Sequence, residues 1–147
     1  MKKVFIFLII ILIIVAIIGF NYFSYKNEYK IIQNENAEFE EYKDKEVYGL
    51  SVATIINKVI DKNTKNKIEK DEKGNFIQND ENSIEVEIHI VENEKDYNLQ
   101  MEQIYNSGVE QFVQYYGNIK FKCSKIEYHE KTGRVKYILF EQQETSL

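Results

Sequence analysis

Proline and tryptophan are absent from these 147 residues, cysteine occurs once, histidine twice and glycine six times. Each shortage excludes something. A lone Cys123 forbids an intramolecular disulfide and a thiolate metal site. It falls in the alternating stretch Ile119-Lys120-Phe121-Lys122-Cys123 and reads as a small buried hydrophobe rather than a reactive thiol. Zinc needs three or four converging ligands, and His89 and His129 have no spacing that pairs them. His89 is expected on the polar face of a strand and His129 on the surface before a turn. Gly108, Gly117 and Gly133 are isolated, so no phosphate-cradling G-x-x-x-x-G-K loop exists, and no serine has G-x-S-x-G surroundings.

Positive charge is also scarce where it would matter for nucleic acid. Four of the 19 basic residues (Lys2, Lys3, Lys26, Lys30) precede residue 31, against one of the 24 acids, Glu28. The remainder is therefore more acidic than the whole-chain net charge of −5. Without a Lys/Arg cluster such a domain repels phosphate backbones, and no nucleic-acid partner is expected.

Two oxygen-rich segments, Asp71-Glu72 and Asn79-Asp80-Glu81-Asn82, lack the spacing that wraps calcium. Glu85 and Glu87 with His89 line one strand face, and Glu38, Glu40, Glu41 and Asp44 cluster on a helix. Acid–base catalysis needs carboxylates in different environments within a cleft. These groups read as solvated faces. No catalytic, cofactor-binding or metal-ligating residue is assigned, no cofactor is expected, and the chain is read as a non-enzyme.

What the chain does have is one long apolar run. Val4 to Phe20 carries no charge, and Tyr22 and Phe23 extend it to the length that spans a bilayer. In lipid the backbone must satisfy its own hydrogen bonds, so this segment has to be helical despite its β-branched residues. Tyr22 and Tyr25 would lie in an aromatic belt. No small-x-small cleavage pattern follows, and no cysteine near residue 20 offers lipid attachment, so an uncleaved anchor is expected. Lys2 and Lys3 favour a cytoplasmic N-terminus and an outer C-terminal domain.

Beyond the anchor, Tyr25, Tyr29, Ile32, Asn36 and Phe39 recur every three or four residues. From Tyr25 no Gly or Pro interrupts the chain until Gly49. The reading is a tail at 1–3, a transmembrane helix at 4–23, a helical stalk at 24–48 and an extracytoplasmic domain at 49–147. Tyr25, Tyr29, Ile32, Phe39 and Tyr42 form its candidate interaction surface, packing on the domain, on an envelope protein or on a second copy.

Within the domain, Ser51 is a candidate cap for a helix ending near Asn63, with Val52, Ile55, Ile56, Val59 and Ile60 as its stripe. A short hairpin is expected around Asp71–Gly74. Ile84–Ile90 alternates as a strand, and a second strand runs from Asp96 to about Ile104. Ser107-Gly108-Val109-Glu110 fits a capping box for a helix closed by Gly117. Ile119–His129 and Arg134–Glu141 read as strands joined by a turn with Gly133 left-handed, with a bulge near Ser124. The fold class is α+β: an antiparallel sheet of four to six strands covered by two helices.

The pattern Asn36-x-x-Phe39-x-x-Tyr42 … Gly49-x-x-Val52-x-x-x-Ile56-Asn57 resembles one in small membrane-tethered bacterial proteins, which implies only this layout. The layout also resembles a type IV pilin, although Gly19-Phe20 follows the apolar run instead of preceding it and no acid lies within the span. The expected function is a single-pass anchored binding or assembly module. A pilin-like subunit and an enzyme with a dispersed site are the alternatives.

Overall fold

The computed structural model describes residues 2–92 and 95–143. The chain forms two compact units, Met1–Glu35 and Asn36–Leu147. Helix α1 (Lys2–Glu40) runs through the first, and its last turn belongs to the second. The folded unit thus begins at Asn36, earlier than the expected residue 49. Among the described residues α1 is the one helix long and apolar enough to cross a membrane.

The helix stops at Glu40 and does not continue to residue 48. Asp44 adopts a left-handed backbone with φ of 60°, a conformation Asp tolerates better than most residues. Its N–H donates to the Cys123 carbonyl at 2.9 Å, and Cys123 returns a bond to Lys45. This turn feeds β1 (Glu46–Tyr48), which leads directly into α2 (Gly49–Lys65).

Ser51 does not cap α2. The helix starts earlier, and its first donors reach across space: Gly49 N–H to the Ile119 carbonyl (2.9 Å) and Leu50 N–H to the Gly117 carbonyl (3.1 Å). Orphan N–H groups of the first turn are therefore satisfied by tertiary contact rather than by a local side chain. The approach is close enough that a Cβ on Gly49 would lie 2.0 Å from the Tyr116 carbonyl oxygen.

The hairpin expected around Asp71–Gly74 shrinks to one bridge, Lys70 with Phe76, around a turn held by Asp71. Strand β2 (Glu85–Glu92) alternates as its sequence requires, burying Val86, Ile88 and Ile90. Strand β3 (Lys95–Gln100) is shorter than expected, because Met101–Ser107 folds as helix α3. The Gln100 N–H donates to the Gln103 side chain at 2.9 Å, closing that helix start. The Ser107–Glu110 capping box does not form: Ser107 ends α3, and α4 (Val109–Tyr116) begins after Gly108 with no side-chain cap. Gly117 terminates α4 in a right-handed conformation, with φ of −57°, rather than as a left-handed cap.

Strands β4 (Lys120–Tyr128) and β5 (Val135–Gln142) pair antiparallel, with a register shift between Cys123 and Lys125 that makes Ser124 the bulge. Gly133 is left-handed in the turn between them. The sheet order is β1-β4-β5-β2-β3. It is mixed rather than antiparallel: β5 lies between β4 and β2 and runs parallel to β2, with Val86 opposite Ile138 and Ile88 opposite Phe140. A parallel pair needs a long crossover, supplied here by β3, α3, α4 and β4.

Helices α2, α3 and α4, joined by Phe39 from the last turn of α1, contribute to the core where two helices were expected. Val52, Ile56 and Val59 of α2, Met101 and Ile104 of α3 and Phe112 of α4 meet Val86, Ile88, Phe121, Ile138 and Phe140. Two buried asparagines tie edges of this core. Asn36 donates to the Gly133 carbonyl (2.8 Å) and accepts from the Val135 N–H (2.9 Å). Asn63 does the same at Ile84, donating to its carbonyl at 2.7 Å and accepting from its N–H at 2.9 Å.

Candidate functional site

The stripe on α1 divides into two parts. Phe39 is 2% exposed and belongs to the core, so it is a structural residue and not a contact surface. Lys58 and Lys62 lie over its ring at 6.0 and 5.6 Å and pair with the neighbouring Glu38 at 3.4 and 3.3 Å. Tyr42 packs against the same core. Tyr25 and Tyr29 are open, at 71% and 53%, and Ile32 is half-buried. Within the expected surface only the proximal part is thus available to a partner.

The face of the sheet opposite the core carries Glu85 and Glu87 from β2, Tyr137 and Leu139 from β5, and Lys125 and Glu127 from β4. The register sets Glu85 opposite Tyr137 and Glu87 opposite Leu139, with Glu127 on the far side of Tyr137. The Tyr137 hydroxyl donates to Glu87 at 3.0 Å. Burial first, and that bond second, push its phenol up, so it serves as a donor at neutral pH. Burial, with Glu87 and Glu102 nearby, raises Glu85 above its ordinary 4.5. The folded unit then takes up a proton at Glu85 more readily than the unfolded chain, so this contribution to stability appears as pH falls and is lost as pH rises through the raised value. Glu85→Gln should raise the urea midpoint at pH 7 and shrink the gap to wild type near pH 4.

His89 lies on this polar face, where its Nδ1 meets the Asn98 side-chain oxygen at 2.8 Å. His129 contradicts the surface expectation: it is 3% exposed, and its Nε2 donates to the Ser83 carbonyl at 2.7 Å. The segment that covers it is locked locally, because the Asn79 side-chain oxygen accepts N–H groups from Glu81, Asn82 and Ser83. Of the oxygen atoms considered for calcium, Asn79 Oδ1 and Asp71 Oδ1 accept backbone N–H groups, and the Glu81 carboxylate pairs with Lys131. Among the described residues no group of three or more His, Cys, Asp or Glu converges as metal ligands.

Cys123 is fully buried, and desolvation pushes its thiol up to about 11. Thiolate is the reactive form, so both access and ionisation suppress its chemistry. A thiol reagent at pH 8 should label the folded protein at least about a hundredfold more slowly than the urea-unfolded protein. Equal rates would show that the strand opens readily.

Two depressions stand out among the described residues. One, about 180 Å³, lies among Leu99, Ile104, Phe112, Tyr115 and Tyr116 at the α3–α4 elbow. Beside it Tyr97 donates to Glu92 (2.8 Å) and meets the Tyr116 hydroxyl at 3.0 Å. The other, about 750 Å³, is a polar groove with Asp80, Glu127, Tyr128, Glu130, Lys131 and Lys136 on its walls. Tyr128 is anchored there to Glu40 at 2.8 Å. The first is built from the single stretch 99–116, whose lining recurs at helical spacing across the α3–α4 elbow, whereas the second joins Asp80 to the β4–β5 turn, which no local pattern encodes. No protein-family model matches the chain, and comparison with curated proteins and with solved structures finds no match.

Proposed function

We propose that this is a single-pass membrane-anchored protein whose folded unit works outside the cytoplasm as a non-enzymatic binding or assembly module. The observation that carries the reading is the uncharged helical run Val4–Phe20, whose large side chains are exposed along its whole length. With Tyr22 and Phe23 it reaches about 30 Å, the thickness of a hydrocarbon core. Water would have to solvate that surface at a cost of roughly 25 cal/mol per Å², which lipid removes. Lys2 and Lys3 border the run directly and are assigned to the cytoplasmic side.

The non-enzymatic part rests on how the reactive side chains are held. Cys123 is sealed in the core, His129 is fixed to a backbone carbonyl, and Tyr137 is bonded to Glu87. Binding is then left to exposed surfaces: the polar sheet face and the tyrosines of α1.

The test is protease accessibility of a C-terminally tagged copy in intact, wall-stripped cells. Digestion of the tag with the membrane sealed is the expected result. A protected, membrane-bound tag would reverse the orientation, and a tag found in the medium would remove the anchor.

A further inference from the structure

We propose that the open edge of β3 takes an extended, basic segment of another protein as an added strand, with one large apolar side chain of that segment seated in the depression at the α3–α4 elbow. The proposal rests on the reading of the folded unit as a binding module, and not on the side of the membrane it occupies.

The two edges of the sheet differ. At one, β1 offers only Glu46–Tyr48 before α2 begins. At the other, β3 pairs with β2 along its whole length without a register shift, and it contains no proline. Its outer side keeps unused main-chain groups. The Gln100 N–H points away from β2, since it donates to the Gln103 side chain at 2.9 Å. On β2, the Val91 N–H opposite Asp96 points the other way, to the Gln142 side chain at 3.2 Å. Main-chain groups on an antiparallel strand alternate in direction, so the N–H and carbonyl of Asp96 and of Asn98 face outward. Among the described residues no turn, loop or side chain satisfies them.

The same strand forms one wall of the elbow depression. Leu99 is the one sheet residue that lines it, with Ile104, Phe112 and Tyr115 beyond. Leu99 lies opposite Ile88, on the face that the helices cover. An added strand sets alternate side chains on that face, and the one beside Leu99 is aimed at the depression. The space, about 180 Å³, suits one aromatic or branched aliphatic group, since about 150 Å³ holds a benzene ring. Unpaired backbone and an apolar seat thus lie side by side, and a strand with one anchoring side chain satisfies both.

Charge selects the neighbours of the anchor. From Asp96 to Asn118 every charged residue is an acid: Asp96, Glu102 and Glu110. Glu110 stands at the elbow itself, beside Gly108. Lysine or arginine next to the anchor is therefore favoured over an acid. A second copy of this chain does not fit. Two-fold pairing centred on Asn98 needs the Gln100 N–H that Gln103 holds. Centred on Tyr97, it sets Lys95 beside Leu99 in place of an apolar residue. Centred on Asp96, it sets two aspartates face to face.

The test uses full-length protein in lipid nanodiscs and a short fluorescent peptide. Its centre is phenylalanine between two lysines, flanked by valine and then threonine on each side. Anisotropy should report saturable binding that weakens as salt is raised. Alanine at the centre should cost at least about tenfold in affinity. Methylating the peptide nitrogens that face β3 should abolish binding with every side chain unchanged. Tyr115 is 66% exposed, so Tyr115→Ala should leave the denaturation midpoint unchanged. It removes a wall of the seat and should weaken binding at least about fivefold. Asn98→Pro deletes one outward donor at an edge position that tolerates proline, and should weaken it as well. Binding that ignores methylation would overturn strand addition. Binding that survives both protein variants would overturn this site and leave a binding module with its site elsewhere. No binding by either peptide would overturn the site, while tag digestion in intact cells still reports the anchored module. Disulfide-linked dimers of Asn98→Cys under a mild copper oxidant would give the edge to a second copy and overturn the proposal.

Discussion

Gly49→Ala is expected to destabilise the folded unit by on the order of 3 kcal/mol, although it adds one methyl group to a helix start. The cause is position. The new Cβ would meet the Tyr116 carbonyl oxygen at 2.0 Å, and that oxygen belongs to backbone that cannot rotate away. Relief requires α2 to withdraw from the end of α4, which breaks the bonds from Gly49 to Ile119 and from Leu50 to Gly117. Ser51→Ala is the control. If Ser51 capped the helix, the change would cost about 1 kcal/mol. Because the cap is tertiary, it should be neutral or slightly stabilising. Chemical denaturation of both variants reads the difference, and the opposite ranking would place the cap at Ser51.

Asn63→Ala should cost a comparable amount, on the order of 2–5 kcal/mol, because it strands the N–H and carbonyl of Ile84 in the core at about 1–3 kcal/mol each. Asn63 is 0% exposed, so water cannot replace the amide without opening the site. Against a total stability of roughly 5–15 kcal/mol, either loss is a large fraction. Asn63→Asp tests the same geometry through pH. An aspartate there can accept from Ile84 N–H but repels the Ile84 carbonyl, and burial favours its protonated form. Its destabilisation should be greatest at neutral pH and should ease as the pH is lowered. A pH-independent loss would mean that the carboxyl has swung to solvent.

The elements that sequence made legible are those whose periodicity and burial agree. The alternation Ile84–Ile90 and the stripe Val52–Ile60 each report one buried face, and the bulge at Ser124 shows in the parity shift around it. The misreadings share a different cause. Met101 continues the alternation of Tyr97 and Leu99, yet it is buried as the first residue of a helix, because apolar spacing of two and of three coincide over so short a stretch. His129 becomes a core residue only when the 79–83 segment, far away in sequence, folds over it. The parallel partner of β2 is set by where β5 inserts, and no local pattern encodes that. As for the candidate surface, spacing placed Tyr25 and Phe39 on one line but could not tell that Phe39 is claimed by the folded unit.

The central place of β5 has a consequence for how the protein is made. Val135–Gln142 contacts strands on both sides, so neither half of the sheet has its inner neighbour until those residues are available. A ribosome that still holds this stretch holds the chain in an open state, with β2 and β4 unjoined. Contacts this distant in sequence also form slowly. A chain built in this order stays open until its central strand is free to join β2 to β4.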